Sequence, residues 1–371
     1  MPILRRLYTL ARRVRRIVAP RRTDTLTEVS LSQTILGSER LVAVDVGAAH
    51  GLLPHWQYLP HVAAVYQIEP RAQACKELEA INAAAGYGGR CSIVAAGLSG
   101  SGGERTLYVS NAPTGSSLFE IDPAVSRDCA AYVDPRYLYP IVPTQIQTSS
   151  LATVMDRHDE ARIDMIKLDI QGAELEVMQG LDGPRLDAML GIEIEVGLHD
   201  LYPKDAGFHA ANEYFEAHGF ELFDVRVARV HLPHQGDHEH FQRKVFSTYG
   251  NSPTVSARIW EFDALYFRKR SKLLESANAG ALRRMIVVYC TYNFFAEAFD
   301  LVGQAEQRQL FSESEAAVLK QAIVDLHYVK HYRPWLSDTP MMRFLRRQAY
   351  VWAPRSAPRW CQYMYQGYPN G

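Results

Sequence analysis

Residues 42–52 read VAVDVGAAHGL, an apolar run with one aspartate that leads into two glycines four positions apart. The β-branched residues over 41–46 predict a buried strand, and the glycines predict a tight turn before a helix. A glycine directly after such a strand lets a ligand approach the backbone without a Cβ in the way. The stretch therefore either binds a nucleotide-like cofactor or forms only a tight turn.

The chain after this stretch alternates short apolar runs with helical patterns, which is typical of βαβ units and a parallel sheet. The final two strand-like runs are separated by a polar loop, so the sheet is expected to end in an antiparallel pair. The predicted strands cover 41–46, 62–69, 92–98, 165–170, 190–196, 220–230 and 259–268. The predicted helices between them cover 73–85, 173–181 and 209–218.

Composition restricts the class of protein. The 371 residues have a formal net charge of -1, which offers no broad field for nucleic acid. The five cysteines are scattered without a CxxC pair, which argues against a disulfide framework and a thiolate zinc site. No run approaches the roughly 18 apolar residues of a membrane-spanning helix. We expect a cytoplasmic protein without a bound metal and without a nucleic-acid partner.

Three parts are predicted along the chain: a basic amphipathic segment 1–30, a sheet-containing domain 31–270 and a helical extension 271–371. The first 22 residues contain eight arginines and no acidic residue, and their apolar residues recur at helical spacing. Such a helix suits peripheral contact with the inner face of an anionic membrane. Docking on its own domain or on a partner, and an organelle transit peptide, also fit this composition.

Asp45, Gly47, Gly51 and Glu69 form the predicted cofactor site. Glu69 ends the second strand, where a carboxylate can accept both hydroxyl protons of a ribose. The turn GAAHGL lacks the middle glycine of the dinucleotide fingerprint, and Asp45 would repel a phosphate, which disfavours an NAD-dependent oxidoreductase. A cationic cofactor without phosphate suits that carboxylate, and S-adenosyl-L-methionine carries both a sulfonium and an ammonium.

A second motif, IDMIKLDIQGAELEVMQGL, covers residues 163–181. Its strand delivers Lys167 and Asp169 at alternate positions, hence on one face. Charged residues in such a strand are costly unless they line a ligand cavity at its carboxyl end. Glu193 and Glu195 repeat this arrangement on the next strand. We expect a polar cluster at this edge, in which Lys167 pairs with Glu193 or Glu195.

These blocks resemble the FkbM-type family of S-adenosylmethionine-dependent O-methyltransferases over about residues 41–268. The resemblance implies a Rossmann-like class I methyltransferase fold, an α/β domain over 31–270 with a mostly parallel seven-stranded sheet and an antiparallel last strand. This chain has Ala49 where the family usually has asparagine, and Gln171 where it usually has glutamate. The matching segments are VDVGAAHG, IEP, AAGLSGSGG, GSSL, TSSLATVMD, IKLDIQGAELEVMQGL and GIEIEVGLHDLY.

The resemblance also implies the chemistry and its residues. A hydroxyl oxygen of the acceptor attacks the sulfonium methyl in line, and the enzyme positions the reactants and supplies a base. Candidates for that base are Asp169 and His199. The implied cofactor residues are Asp45, Gly47, Gly51 and Glu69, with Asp169 and Glu174 near the methyl-transfer centre. Beside what the resemblance implies, we expect Asp169 to contact the cofactor as well, and the candidate catalytic residues are Lys167, Asp169 and His199.

The loop HLPHQGDHEHF over 231–241 contains four histidines and an aspartate, namely His231, His234, His238, His240 and Asp237. A loop between antiparallel strands above a cofactor edge is a natural substrate lid. Histidine is also the commonest metal ligand, so a metal site is the alternative, although the spacing matches no metal-binding motif.

The leading function hypothesis is an S-adenosyl-L-methionine-dependent O-methyltransferase. Its acceptor is expected to be a small molecule, a glycan or a lipid-linked molecule, such as a sugar of a surface glycan or glycolipid, or a secondary metabolite. The alternative is a catalytically silent protein that keeps the methyltransferase fold and serves as an interaction or scaffold module.

Overall fold

The computed structural model describes residues 25–111, 115–125, 139, 141–198, 201–202, 205–230, 258–276 and 278–331. The described residues fall into two compact units. One comprises residues 40–277, and the other comprises the described residues before 40 and after 277. The predicted divisions after residues 30 and 270 lie several residues away from these boundaries.

The unit of residues 40–277 is built on a seven-stranded sheet of order β3-β2-β1-β7-β8-β10-β9. All neighbouring pairs are parallel except the two that involve β10. The predicted fold class, a mostly parallel Rossmann-like sheet of seven strands with an antiparallel last strand, is therefore confirmed, since β10, the last strand along the described chain, is antiparallel to both of its neighbours. The strands are β1 (Leu41–Val46), β2 (Ala63–Ile68), β3 (Cys91–Val94), β4 (Gly97–Leu98), β5 (Gly103–Val109), β6 (Val142–Ser149), β7 (Met165–Leu168), β8 (Gly191–Gly197), β9 (Phe220–Val230) and β10 (Arg258–Arg268).

The strand β1 lies inside this sheet, third in the order of seven, and all six of its residues are buried. Its valines suit a strand that is covered on both faces, as in parallel sheets. It pairs with β2 on one side and with β7 on the other. The strand order reverses at this point, and ligands of open α/β sheets bind in the crevice at the carboxyl ends of such strands.

The predicted strand over 92–98 is wrong as a single element. Residues Cys91–Val94 belong to the seven-stranded sheet, whereas Gly97–Leu98 belong to a second, three-stranded sheet of order β4-β6-β5. Gly97 allows β4 to lie close to β6, since a Cβ there would lie 2.9 Å from Ile146 Cδ1. A continuous apolar run carries no local signal for a change of sheet.

Ten α-helices occur in the described residues. Ser150 caps the helix Leu151–Arg157 by accepting a hydrogen bond from the Thr153 backbone N–H. The helices are α1 (Thr25–Leu36), α2 (Ala72–Ala84), α3 (Leu151–Arg157), α4 (Glu174–Gln179), α5 (Gly183–Ala188), α6 (Gly207–Ala217), α7 (Arg270–Glu275), α8 (Ala279–Thr291), α9 (Phe295–Gln307) and α10 (Glu313–His331).

The second unit is helical in its described part, as predicted for the C-terminal extension, and α1 packs against α8 and α10. A buried ion pair joins Lys330 Nζ to Glu28 Oε1 at 3.1 Å. Ser312 and Glu315 form the predicted capping box at the start of α10. Among the helices that the structure describes, none has the length and apolar character needed to cross a membrane.

Candidate active site

A cleft that is partly open to solvent lies at the carboxyl ends of β1, β2 and β7. It has the location that this sheet topology favours for a ligand site. Gly47, Glu69 and Asp169 line it, so three of the predicted site residues meet there.

The remaining predicted residues in the described part of the chain lie close to this cleft without lining it. Asp45 and Lys167 are side by side on the paired strands β1 and β7. Gly51 follows the turn with a φ of +78°, and a Cβ there would lie 3.1 Å from Ile81 Cγ2 on α2. This glycine therefore serves helix packing, which is the role that the motif predicts for it.

Gly47 lies in the turn after β1, where its backbone approaches the residue that follows β7. Its φ is +81°, and a Cβ on it would lie only 2.0 Å from the backbone oxygen of Asp169. The Gly47 N–H donates to Ile68 O at 3.1 Å, and the Asp169 N–H donates to Val46 O at 3.2 Å. Two features therefore require glycine at position 47. The Asp169 backbone lies too close for a Cβ, and the turn needs a positive φ.

Glu69 is buried in the cleft wall with its carboxylate held by Arg71. The backbone N–H of Arg71 donates to Glu69 Oε1 at 2.9 Å, and its guanidinium donates to Oε1 at 2.7 Å and to Oε2 at 3.3 Å. This bidentate geometry orients the carboxylate. The sequence analysis missed Arg71, although its position two residues after the strand-ending acid was a usable signal.

Asp45, Lys167 and Asp169 form the charged centre behind the cleft. Lys167 Nζ donates to Asp169 Oδ2 at 3.1 Å and lies 3.8 Å from Asp45 Oδ1. Burial raises the pKa of Asp45 to about 6, against the opposing effect of Lys167. Burial lowers the pKa of Lys167, but the Asp169 and Asp45 carboxylates outweigh it, so the pKa lies above its ordinary value. Lys167 is held as a cation between two acids.

The predicted pairing of Lys167 with Glu193 or Glu195 is wrong. Lys167 pairs with Asp45 and Asp169, whereas Glu193 accepts a hydrogen bond from Arg226 Nη1 at 2.8 Å and lies 3.3 Å from His55 Nε2. Arg226 comes from β9 and His55 from a single 3₁₀ turn, Pro54–Trp56. These partners are distant in sequence, so strand spacing could not reveal them.

A set of protonatable carboxyl groups continues across the same edge of the sheet. Both oxygens of Glu174 accept backbone N–H groups, from Ile170 at 2.7 Å and Gly172 at 2.8 Å, so this residue shapes the loop after β7. Burial raises the pKa of Glu174 to about 7 despite these bonds. Burial likewise raises the pKa of Glu261 and of Asp263 to about 7, with neighbouring acids adding to it.

These raised pKa values predict that the protein is more stable at pH 5 than at pH 8. Asp45, Glu174, Glu261 and Asp263 keep protons in the folded state that the unfolded chain releases near pH 4. Their stabilising contribution is complete below the unfolded pKa values and is lost as the pH rises through about 6 to 7. Urea unfolding at pH 5.0, 6.5 and 8.0 measures this as a falling free energy of unfolding.

Asp263→Asn is the matched variant for this prediction, because it removes one titrating group and keeps the side-chain shape. The free energy of unfolding should depend less steeply on pH in this variant than in the unsubstituted protein. A free energy of unfolding that rises between pH 5 and pH 8 would contradict the prediction.

Two predicted features lie outside the described residues: the candidate base His199, and the histidine loop with His231, His234, Asp237, His238 and His240. Within the described ranges, no group of three or more His, Cys, Asp or Glu side chains is arranged to hold a metal ion. The choice between lid and metal site for that loop stays a prediction.

The cleft fits S-adenosyl-L-methionine in three respects. Gly47 leaves the backbone bare where a cofactor must approach it closely. Glu69 places an oriented carboxylate in the wall of the cleft, and a carboxylate is a group suited to accept the hydroxyls of a ribose. Behind the turn, Asp45 Oδ1 is buried without a hydrogen-bond partner and has only the longer 3.8 Å ion pair with Lys167, so this oxygen still has the capacity to accept a hydrogen bond.

The order of the sheet and the position of the cleft at its reversal point are those of the Rossmann-like class I methyltransferase fold. Residues 45–222 match the model of the Methyltransferase FkbM domain, so the chain carries a domain of that family. This match confirms the predicted family and, with it, S-adenosyl-L-methionine as the cofactor. No curated protein matches the chain.

The solved structures that this chain is similar to have low sequence identity and low TM-scores. A SAM-dependent methyltransferase from Agrobacterium tumefaciens is 9% identical, with a TM-score of 0.31, and 66% of this chain and 61% of that chain are covered. Precorrin-6y C5,15-methyltransferase from Geobacter metallireducens is 11% identical, with a TM-score of 0.29 and coverage of 65% and 87%. TYW2 of M. jannaschii, solved in complex with AdoMet, is 14% identical, with a TM-score of 0.25 and coverage of 64% and 74%.

Proposed function

We propose that the protein is an O-methyltransferase that transfers the methyl group of S-adenosyl-L-methionine to a hydroxyl. The observation that carries the proposal is the position of Asp169. Its carboxylate lines the cleft beside Gly47 and Glu69, and its side chain is 36% exposed, whereas Asp45 and Glu69 are buried. An acid at this point can accept the proton of a hydroxyl that enters the cleft.

Each residue has a distinct part in this mechanism. Glu69 binds the ribose hydroxyls, Gly47 lets the cofactor approach the backbone, and Asp45 supplies negative potential for its positive charges. The cofactor supplies an electrophilic methyl when it is bound. Asp169 orients the acceptor hydroxyl and takes its proton, while Lys167 holds the Asp169 carboxylate in place through its 3.1 Å hydrogen bond.

The acceptor class is part of the proposal. A sugar of a surface glycan or glycolipid, or a secondary metabolite, offers hydroxyls of the kind required.

The arginine-rich segment 1–22, which lies outside the described residues, supports a lipid-linked acceptor through peripheral membrane contact. Removal of residues 1–22 should reduce salt-sensitive binding to vesicles that contain anionic lipid, and unchanged binding would refute this contact.

A catalytically silent protein of the same fold is the second candidate. The observation in its favour is that the Arg71 guanidinium donates hydrogen bonds to both carboxylate oxygens of Glu69 and so competes with a ribose for them. The two candidates differ in methyl transfer, so the experiment must measure it directly.

The test supplies the full chain with S-adenosyl-L-methionine that carries a labelled methyl group and with a fractionated cell extract. The proposed function predicts label in an extract fraction as a base-stable, acid-stable ether. Asp169→Asn should lower the initial rate about 100-fold, because general-base catalysis and positioning are lost. Isothermal titration without extract separates the candidates further, since the absence of cofactor binding would refute the enzymatic proposal. Cofactor binding without any transfer would favour the silent protein.

A further inference from the structure

Gln171 lies in the loop directly after β7 and has a backbone conformation that glutamine rarely adopts. Its φ is +63°, in the left-handed region. Its backbone oxygen accepts a 2.6 Å hydrogen bond from Ser117 Oγ. At the neighbouring Gly172, a Cβ would lie 3.2 Å from the rings of Phe119 and Tyr202. The surrounding packing therefore holds this turn in a strained conformation, as is common at functional sites.

The side-chain amide of Gln171 contacts three polar groups. Its Nε2 donates to Glu195 Oε2 at 2.6 Å and to Asp169 Oδ1 at 3.2 Å. Its Oε1 accepts a hydrogen bond from the Tyr202 hydroxyl at 3.1 Å. An amide nitrogen has two N–H groups, one for each carboxylate, and the reverse orientation would set an oxygen against both acids. One neutral side chain thus bridges two carboxylates that otherwise repel each other.

Asp169 is consequently held from two sides. Gln171 donates to Oδ1 and Lys167 donates to Oδ2, while the carboxylate still lines the cleft. Glu195 is partly buried, as Asp169 is, but it does not line the cleft. Desolvation, followed by the charge of Asp169, raises the pKa of Glu195 well above its ordinary value. The bridge therefore joins an acid that lines the cleft to an acid that binds a proton readily.

We propose that Gln171 is a positioning residue for methyl transfer: its amide fixes the orientation of Asp169 toward the cleft and keeps that carboxylate apart from Glu195. The inference rests on the proposed function of the cleft and adds a residue to it. A glutamate at position 171, which the family usually has, carries no N–H and could donate to a neighbouring acid only through a protonated carboxyl, with one hydrogen where the amide has two. Three carboxyl groups in one place would have to share at least one proton.

In the part of the chain that the structure describes, other charged and titratable groups interact with Asp169 or Glu195, or with the groups around them, and they stay unchanged in the test. They are Asp45 on β1, Lys167 on β7, Glu174 on α4, Glu193 on β8, Arg226 on β9, Glu261 and Asp263 on β10, and Tyr202 and Asp205 in the loop before α6.

The first variant of the full chain is Gln171→Glu, which adds a carboxyl of the same size. The titrations of Asp169 and Glu195, followed by ¹³C NMR of their carboxyl carbons, should change. At least one of the two should keep its proton to a pH about 1 unit higher than in the unsubstituted protein. The low-pH limb of the methyl-transfer rate should move upward by a similar amount.

The second variant, Gln171→Gly, suits a φ of +63° and removes the whole side chain, including the amide, without adding a charge. It should keep the melting temperature and the affinity for S-adenosyl-L-methionine, yet lower the rate of methyl transfer to the extract about 10-fold. A merely structural role predicts no such separation of rate from binding.

Gln309→Glu is the matched control, because Gln309 is an exposed glutamine in the other unit with a φ of +61°. It should leave the titrations and the rate unchanged. The proposal is overturned if the titrations of Asp169 and Glu195 in Gln171→Glu are the same as in the unsubstituted protein. It is also overturned if Gln171→Gly transfers methyl at the rate of the unsubstituted protein. If the unsubstituted protein transfers no methyl at all, the proposed function fails. The carboxyl titrations need no activity and still decide whether the amide separates the two acids.

Discussion

Gly47→Ala is expected to lower the free energy of unfolding by about 3 kcal/mol and to abolish cofactor binding. A side chain is strained at a φ of +81°, which costs about 1 kcal/mol, and the new Cβ would lie 2.0 Å from the Asp169 backbone oxygen. That oxygen belongs to backbone and cannot rotate away, so the strands must shift at a further cost of about 2 kcal/mol. Urea unfolding measures the loss of stability, and isothermal titration with S-adenosyl-L-methionine measures the loss of binding.

Gly86→Ala is the matched control for this prediction. Gly86 follows α2 with a φ of +80°, and a Cβ on it would meet nothing within 4 Å. Its substitution should cost only the conformational part, about 1 kcal/mol, and should leave cofactor binding intact. Equal losses of stability in the two variants would show that the close approach of Asp169 contributes nothing.

Glu69→Ala is expected to weaken the binding of S-adenosyl-L-methionine about 100-fold. The carboxylate is predicted to accept two ribose hydroxyls, each bond to a charged group contributing about 1.5 kcal/mol, and 100-fold corresponds to about 2.7 kcal/mol. The backbone N–H of Glu69 donates to Val94 O at 3.1 Å and is not affected by the substitution. The fold should therefore persist, as a melting curve would verify beside the titration.

Glu77→Ala is the control for the removal of an acid in the same region. Glu77 is exposed on α2 and accepts a 2.9 Å hydrogen bond from Gln73. Its loss should change the dissociation constant less than about 2-fold, since exposed charges at a distance are screened. Unchanged binding in Glu69→Ala would refute the ribose-binding role of Glu69.

The turn after β1 and the end of β7 were predictable because their signals are local. A run of β-branched residues predicts a buried strand, and a glycine after it predicts a turn with positive φ. The Ser312 and Glu315 capping box could likewise be predicted, because both partners lie within one helical turn. The reversal of strand order then placed Gly47, Glu69 and Asp169 at one edge, as the motif spacing predicts.

The partners of the charged residues were not predictable in the same way. Lys167 alternates with Asp169 in sequence, but its second acid, Asp45, comes from β1, 122 positions earlier. The bond between His55 and Glu193 spans 138 positions. The alternation of polar and apolar residues along a strand does not indicate which other strand or turn lies beside that strand. Several pairings of its charged residues are therefore compatible with the same sequence pattern.

The sequence by itself determined which segments form helices or strands, through the spacing of their apolar residues. It also determined the position of the turns and the placement of acids at the carboxyl ends of β1, β2 and β7. Only the tertiary structure decided that the apolar run 92–98 divides between two sheets and that Gln171 bridges Asp169 and Glu195. The physical reason is that backbone conformation follows from neighbouring residues, whereas side-chain partners follow from which distant segments bury their apolar faces against each other.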